Sequence, residues 1–199
     1  FFKQFVYLLV GRYICAMNTR DKIVLRGDNL IRRVGYNAFS FSDISKELSI
    51  KNASIHYYFP TKSALVMAII QKHTLLLEKF KGYVRNDEPL EKINKFLTVY
   101  KMARFGGRIS ILGALANDFL NFDFDVQTEL KILTDNTVNW LTDTLIEGQK
   151  TGVFHFNIPA KNKALILITN ILGGEQLSRI TYQSDFQQIK ETIISDLIK

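Results

Sequence analysis

The chain has 199 residues, with 26 Lys and Arg against 19 Asp and Glu, a formal net charge of +7. Its 47% hydrophobic and 23% charged content is that of an ordinary globular protein, long enough for one large domain or a small one joined to a larger. The single cysteine, Cys15, excludes an intramolecular disulfide and fits a reducing, cytoplasmic setting.

The charge is unevenly placed. Residues 1–62 hold 10 Lys/Arg against 4 Asp/Glu, whereas residues 63–199 hold 16 against 15. Such an asymmetry is expected where one region meets a polyanion, and equally of a solvated basic face without a partner. The opening run FFKQFVYLLVGRYICAM is apolar, but Arg12 interrupts it and it is too short to span a bilayer. It also lacks the small-residue cleavage site of a signal peptide. Met17 begins a more ordinary sequence, so residues 1–16 are read as a non-native or flexible extension, with a genuine N-terminal arm as the alternative. No membrane partner is expected.

From Met17 the periodicity is helical. Ile23, Gly27, Leu30/Ile31 and Val34 recur at helical spacing, and Gly35 closes that element. Ser40 with Asp43 three residues on has the spacing of a capping box with a shorter acid, and predicts a two-turn helix over about 41–48. The tripeptide SIK then separates it from a third short helix over about 52–58. Pro60, Pro89 and Pro159 each precede a helical pattern, where a missing N–H costs nothing. Helix starts are therefore expected near Thr61, Leu90 and Ala160, with further helices at about 109–120, 124–149 and 185–198. No alternating strand pattern appears. The expected fold is all-α with about nine helices: a basic three-helix bundle over residues 17–62 leading directly into a larger bundle over 63–199. The helix at 164–172, ALILITNIL, is apolar nearly all round, so it must be buried on every side, in the core or against a partner subunit. Gly173 and Gly174 would admit a second helix closely.

Two short helices joined by three residues, the second rich in polar and aromatic groups, describe a helix-turn-helix. Ile44, Leu48, Ile50 and Ile55 supply its small core, with Ser45 where the helices cross. The second helix then offers Asn52, Ser54, His56, Tyr57 and Tyr58 to the outside, and Lys62 opens the next helix. Donors of this kind, with helix N-termini, grip a phosphate backbone. Phe59, Ile55 and Leu65 are read as core.

The stretch DISKELSIKNASIHYYFPTKSAL resembles the DNA-binding segment of the TetR/AcrR family of bacterial transcription regulators, over residues 19–65. LGALANDF, LIEGQKTGVF and the apolar helix with its two glycines resemble landmarks of that family's ligand-binding, dimerising domain more loosely. The resemblance implies a homodimer on double-stranded operator DNA, most simply a repressor released by a small hydrophobic or aromatic effector. The positions implied to meet DNA are Ser40, Lys51, Asn52, Ala53, Ser54, His56, Tyr57, Tyr58 and Lys62. Those implied to line an effector pocket are Met67, Ile70, His73, Phe96, Tyr100, Leu115, Phe119 and Trp140, with ordinary core as the alternative for each. His73 and Asn117 are its polar residues of interest. Three positions depart from the family pattern: Ser49 where the turn usually carries Gly, Lys51 where a Ser or Thr usually caps the recognition helix, and His56 where Tyr is most common.

An enzyme is not expected. The sequence has no Gly-rich phosphate loop, nucleophile elbow or metal-ligand spacing, and no cofactor is implied. Asp118, Asp123 and Asp125 are read as solvated loop acids. The competing readings are a non-specific nucleic-acid-binding helical protein and a helical protein-interaction module.

Overall fold

The computed structural model describes residues 17–104 and 106–198, so the expectation for residues 1–16 lies outside it. The described residues form nine α-helices and no strand. Helix α1 (Thr19–Val34) begins at Asn18, whose side chain accepts the Asp21 N–H at 2.8 Å, and ends at Gly35. Helix α2 (Phe41–Leu48) carries the anticipated box: the Asp43 carboxylate accepts the Ser40 N–H at 2.7 Å and its hydroxyl at 2.8 Å. Helix α3 (Asn52–Tyr58) follows with no side-chain cap from Lys51, the consequence of placing a side chain that only donates at an N-cap. Thr61 caps α4 (Lys62–Tyr83), and Pro89 opens α5 (Pro89–Ala103).

The single helix expected over 109–120 is instead two elements. Ser110 caps a five-residue α6 (Ile111–Leu115), and a 3-10 turn, Ala116–Asn121, continues it. Asn117 and Asp118 compete poorly for an α-helix interior, and the Asp118 carboxylate accepts from the Asn37 amide at 2.6 Å. Asp123 then caps the long α7 (Phe124–Lys150), followed by α8 (Ala160–Leu177) and α9 (Gln183–Ile198).

Apolar side chains gather in two clusters. One joins α1, α2 and α3 to the front of α4, to α6 and to the start of α7, around Ile23, Ile31, Ile44, Ile55, Leu65 and Ile69. The other joins the end of α4 to α5, the rest of α7, α8 and α9, around Phe80, Leu97, Leu141, Leu145, Ile171 and Phe186. Helices α4 and α7 thus run through both. In the loop after α7 the Phe154 ring lies over Gly148, where an added Cβ would come within 2.0 Å of it.

Helix α8 is buried on one side only. Ala164, Leu167, Ile168 and Ile171 face the core, whereas Leu165 and Ile166 are 43% and 47% exposed. A wholly internal position in a single chain is therefore excluded for this apolar helix. Of its two glycines, Gly174 admits the chain's own α9, since a Cβ there would meet Ile189 Cδ1 at 2.9 Å, and Gly173 is open. Beside Gly174, Glu175 is wholly buried and ties α8 to the start of α6: its carboxylate accepts the Ser110 N–H at 3.0 Å and the Ser110 hydroxyl at 2.6 Å.

Two predictions follow from local conformation. Ser49 closes α2 in the left-handed region, φ 54 and ψ 42, which costs a non-glycine residue about 1 kcal/mol. Ser49→Gly is therefore expected to raise the thermal midpoint by roughly 2–4 °C, read by calorimetry. Burial pushes the Glu175 carboxyl from 4.5 up to about 7, against the Ser110 hydrogen bonds. The folded chain holds this proton more tightly than the unfolded one, so the stability it confers is complete below pH 4.5 and is lost as pH rises through about 7. Glu175→Gln is expected to remove that loss in denaturant titrations. The buried His73, pushed down by burial, titrates with the opposite sign, so the difference between wild type and variant is the quantity to read.

Candidate nucleic-acid interface and internal cavity

The helix-turn-helix is built around Ile44 and Ile55, both wholly buried, with Phe59 beneath and Leu48 and Ile50 packed at the side. Fixing Ile55 inward turns its neighbours out. Lys51, Asn52, Ala53, His56, Tyr57 and Tyr58 are exposed, and Ser54 is half-buried. Tyr57 is 82% exposed, so packing against a neighbouring helix does not account for it. Its ring meets only the edge of Tyr58, centroids 5.1 Å apart. His56 stands edge-on to Phe41 at 5.0 Å.

Ser40, Asn52, His56 and Lys62 share one open surface groove with Ser42 and Thr61, whose hydroxyls the sequence reading passed over. Lys62 is placed differently from a free surface ammonium. Its Nζ donates to the Phe39 carbonyl at 2.6 Å and lies 4.4 Å and 4.2 Å from the ring centroids of Tyr36 and Phe39. Burial pushes its pKa down. Around the groove and along α1 and α2, Arg20, Arg33, Lys46 and Lys51 are exposed, whereas Arg32 and Asp28 are buried and add nothing to the surface field.

A cavity of about 90 Å³ lies among α1, α4, α5, α6 and α7. Of the eight residues expected to line a pocket, His73, Phe96 and Tyr100 do so. Ile70 and Leu115 are wholly buried in the first cluster, and Met67 and Phe119 pack against it. Trp140 stands behind the wall, stacked 5.3 Å from Phe80 and 5.2 Å from Phe96. Asn117 sits exposed on the surface turn. The wall residues not anticipated include Arg32, Leu77, Phe80, Ser110 and Thr137. Arg32 had left a signal: Leu25, Asp28 and Arg32 recur at helical spacing on one face, so two charges occupy core-facing positions.

Of these two, Arg32 lines the cavity and forms its polar end, with Asp28 behind it. Arg32 is 2% exposed; its Nε donates to the Ile109 carbonyl at 2.7 Å and its Nη2 to the Ala103 carbonyl at 2.9 Å. The Ile109 N–H returns a bond to the Arg32 carbonyl at 2.9 Å. Asp28 meets His73 Nε2 at 2.7 Å, Arg32 Nη1 at 3.7 Å and Lys72 Nζ at 3.8 Å. Burial alone would raise the Asp28 carboxyl, but His73, Arg32 and Lys72 hold it well below the usual carboxylate range. For His73, burial outweighs Asp28 and pushes the imidazole down, towards its neutral form. Asn29 accepts from Arg108 beside them. Among the described residues no group of His, Cys, Asp and Glu is arranged to hold a metal ion, and no helix is long and apolar enough to cross a membrane.

Comparison with known proteins places this geometry. Residues 23–69 match the family model described as bacterial regulatory proteins, tetR family. The chain is 26% identical over 191 residues to the HTH-type transcriptional regulator in the lacX 3' region of Lactococcus lactis subsp. lactis, covering 87% of this chain and 92% of that one. Among solved structures, a TetR transcriptional regulator from Legionella pneumophila superposes with a TM-score of 0.83 at 28% identity, over 92% of this chain and all (100%) of the other. A TetR-family regulator from Agrobacterium tumefaciens gives 0.82 at 25% identity, over 90% and 97%. A helix-turn-helix that matches the tetR family model is thus carried on a fold shared nearly end to end with TetR-family regulators, so the chain is similar to DNA-binding transcription regulators of that family and not to enzymes.

Proposed function

We propose that the chain is a cytoplasmic, homodimeric repressor, released from its operator when a small effector enters the cavity. The observation that carries this reading is Arg32. It belongs to α1, the first helix of the DNA-binding bundle, yet it forms part of the cavity wall and bonds the carbonyls that end α5 and precede α6. An occupant of the cavity therefore touches the element that positions the helix-turn-helix. In a dimer the two α3 helices must sit about one helical turn of DNA, roughly 34 Å, apart. An effector that favours a different spacing by about 1.4 kcal/mol weakens binding tenfold.

On this reading α3 enters the major groove. Lys51, Asn52, Ala53 and His56 face the bases, while Ser40, Ser54, Tyr57 and Tyr58 meet the backbone. Lys62 reaches a phosphate only by giving up its bond to Phe39. The second copy docks on the exposed side of α8 and α9, where Leu165, Ile166 and Leu177 flank an open groove between the two helices. An exposed apolar stripe of this kind marks an association surface.

The test is binding to the DNA flanking the chain's own gene against scrambled DNA, across a salt series. Selective binding by about 10³-fold or more, with a steep salt slope, is expected. Equal binding to both would overturn the reading, as would an operator affinity unchanged by every compound that fills the cavity. Tyr57→Ala is expected to weaken operator binding about tenfold or more. The same change should leave stability within about 0.5 kcal/mol, since the side chain is solvated. Ile166→Lys should turn the dimer into a monomer in sedimentation experiments; a variant that stays dimeric would move the interface elsewhere.

A further inference from the structure

The geometry points to a compact organic acid as the occupant of the cavity, its carboxylate at Arg32 and its short apolar body against Phe80 and Phe96. This rests on the effector reading above and names the chemistry that reading leaves open. The wall is apolar except at five side chains, and three of those are already committed. The Ser110 hydroxyl donates to Glu175 at 2.6 Å, and the Thr137 hydroxyl donates to the Leu133 carbonyl of its own helix at 2.8 Å. His73 Nε2 is likewise held by Asp28 at 2.7 Å, so Arg32 and Tyr100 remain to recognise a ligand.

Arg32 decides the sign. A guanidinium carries five N–H donors. Here Nε and Nη2 each serve one carbonyl, while Nη1 stands 3.7 Å from Asp28, an ion pair too long for a hydrogen bond. The charge around it is unbalanced as well. Asp28 is one carboxylate facing the guanidinium of Arg32 and the ammonium of Lys72, with Arg108 adding a further positive charge, while burial holds the His73 imidazole towards its neutral form. Glu175, bonded to Ser110, lies in the field of both Arg32 and Arg104, but burial pushes its carboxyl up to about 7, so it offsets their charge only in part. A buried positive surplus is costly in a low-dielectric wall, and a ligand carboxylate offsets it. A cation would add to the surplus, and a neutral molecule could accept from the guanidinium without offsetting its charge. Size limits the body: about 90 Å³ is smaller than the roughly 150 Å³ cavity that accommodates benzene. A ring-sized acid must push the wall outward, and Arg32 is part of that wall.

Trp140 provides the readout, because it is the one tryptophan of the chain and its ring stacks on Phe80 and Phe96. The experiment titrates the full chain with benzoate, benzyl alcohol and benzylamine, and with isobutyrate against isobutyramide. Trp140 emission and the thermal midpoint are followed together. Each acid is expected to bind at least about tenfold tighter than its neutral counterpart, with benzylamine weakest, as a charge-assisted hydrogen bond requires. Arg32→Lys should weaken benzoate and leave benzyl alcohol unchanged. Because Arg32 also bonds the backbone, Val99→Phe supplies an independent check: filling the cavity should abolish binding of every probe while circular dichroism stays that of the wild type. Equal binding of acid and neutral partner, tighter binding of the amine, or failure of both acids to bind at millimolar concentration would overturn the inference. Benzoate binding that survives Val99→Phe would overturn its location. Acids that bind without changing operator affinity would instead sink the effector reading alone. Release of the operator by another compound, with no acid binding, would sink only the choice of an acid.

Discussion

A guanidinium in the interior of a helical protein needs its charge met and its donors bonded, and Arg32 meets part of this need by reaching out of its own bundle. Two of its bonds land on the carbonyls of Ala103 and Ile109, more than 70 residues away in the chain. Asp28 is its buried ion-pair partner, and removing one partner of a buried pair typically costs about 3–5 kcal/mol, far more than a surface ion pair contributes. The two carbonyl bonds fix the position of α1 to the end of α5 and the start of α6. Asp28 and His73 complete the arrangement by bringing in α4, the helix that follows the helix-turn-helix directly.

The packing around this joint explains why the two parts of the molecule are mechanically continuous. Helix α4 holds Leu65 and Ile69 in the first apolar cluster and Phe80 in the second. Helix α7 does the same with Leu130 and Leu141. Close-packed interiors do not deform continuously, so a displacement of either helix must be shared by both clusters. The cavity lies where these helices pass one another, next to Arg32. Glu175 forms a second joint, from α8 to Ser110, on the other side of α6. Under the proposed reading, the helix that meets the partner subunit and the helix that carries the DNA-binding bundle are each tied to the short α5–α6 connection.

At the opposite end of the molecule the design is open. Tyr57 and Tyr58 are exposed, and under the proposed reading a polyanionic partner meets them there. Lys62 is the exception there, since two aromatic rings and a carbonyl already hold its ammonium. Its first role in the free protein is to tie α4 to the segment before α2.

Residue pattern alone determined the helical class, the positions of most helix starts and the helix-turn-helix, because these depend on local rules. Ser40 with Asp43 caps wherever it precedes a helical stripe, and Ile44, Leu48, Ile50 and Ile55 define an inward face by spacing; Asp123, read as a solvated loop acid, instead caps α7. The exposed residues of α3 followed from that face without further information. What lines the cavity did not follow, because spacing gives a residue's side of a helix but not which neighbour lies against that side. Met67, Ile70 and His73 share α4, yet only His73 reaches the cavity, while Ile70 belongs to the first apolar cluster and Met67 packs against it. The break between α6 and the 3-10 turn, the exposed side of α8 and the burial of Arg32 likewise depended on contacts between distant segments. Short-range chemistry was therefore written in the sequence, and the placement of a buried charge against carbonyls far along the chain was decided only when the helices packed.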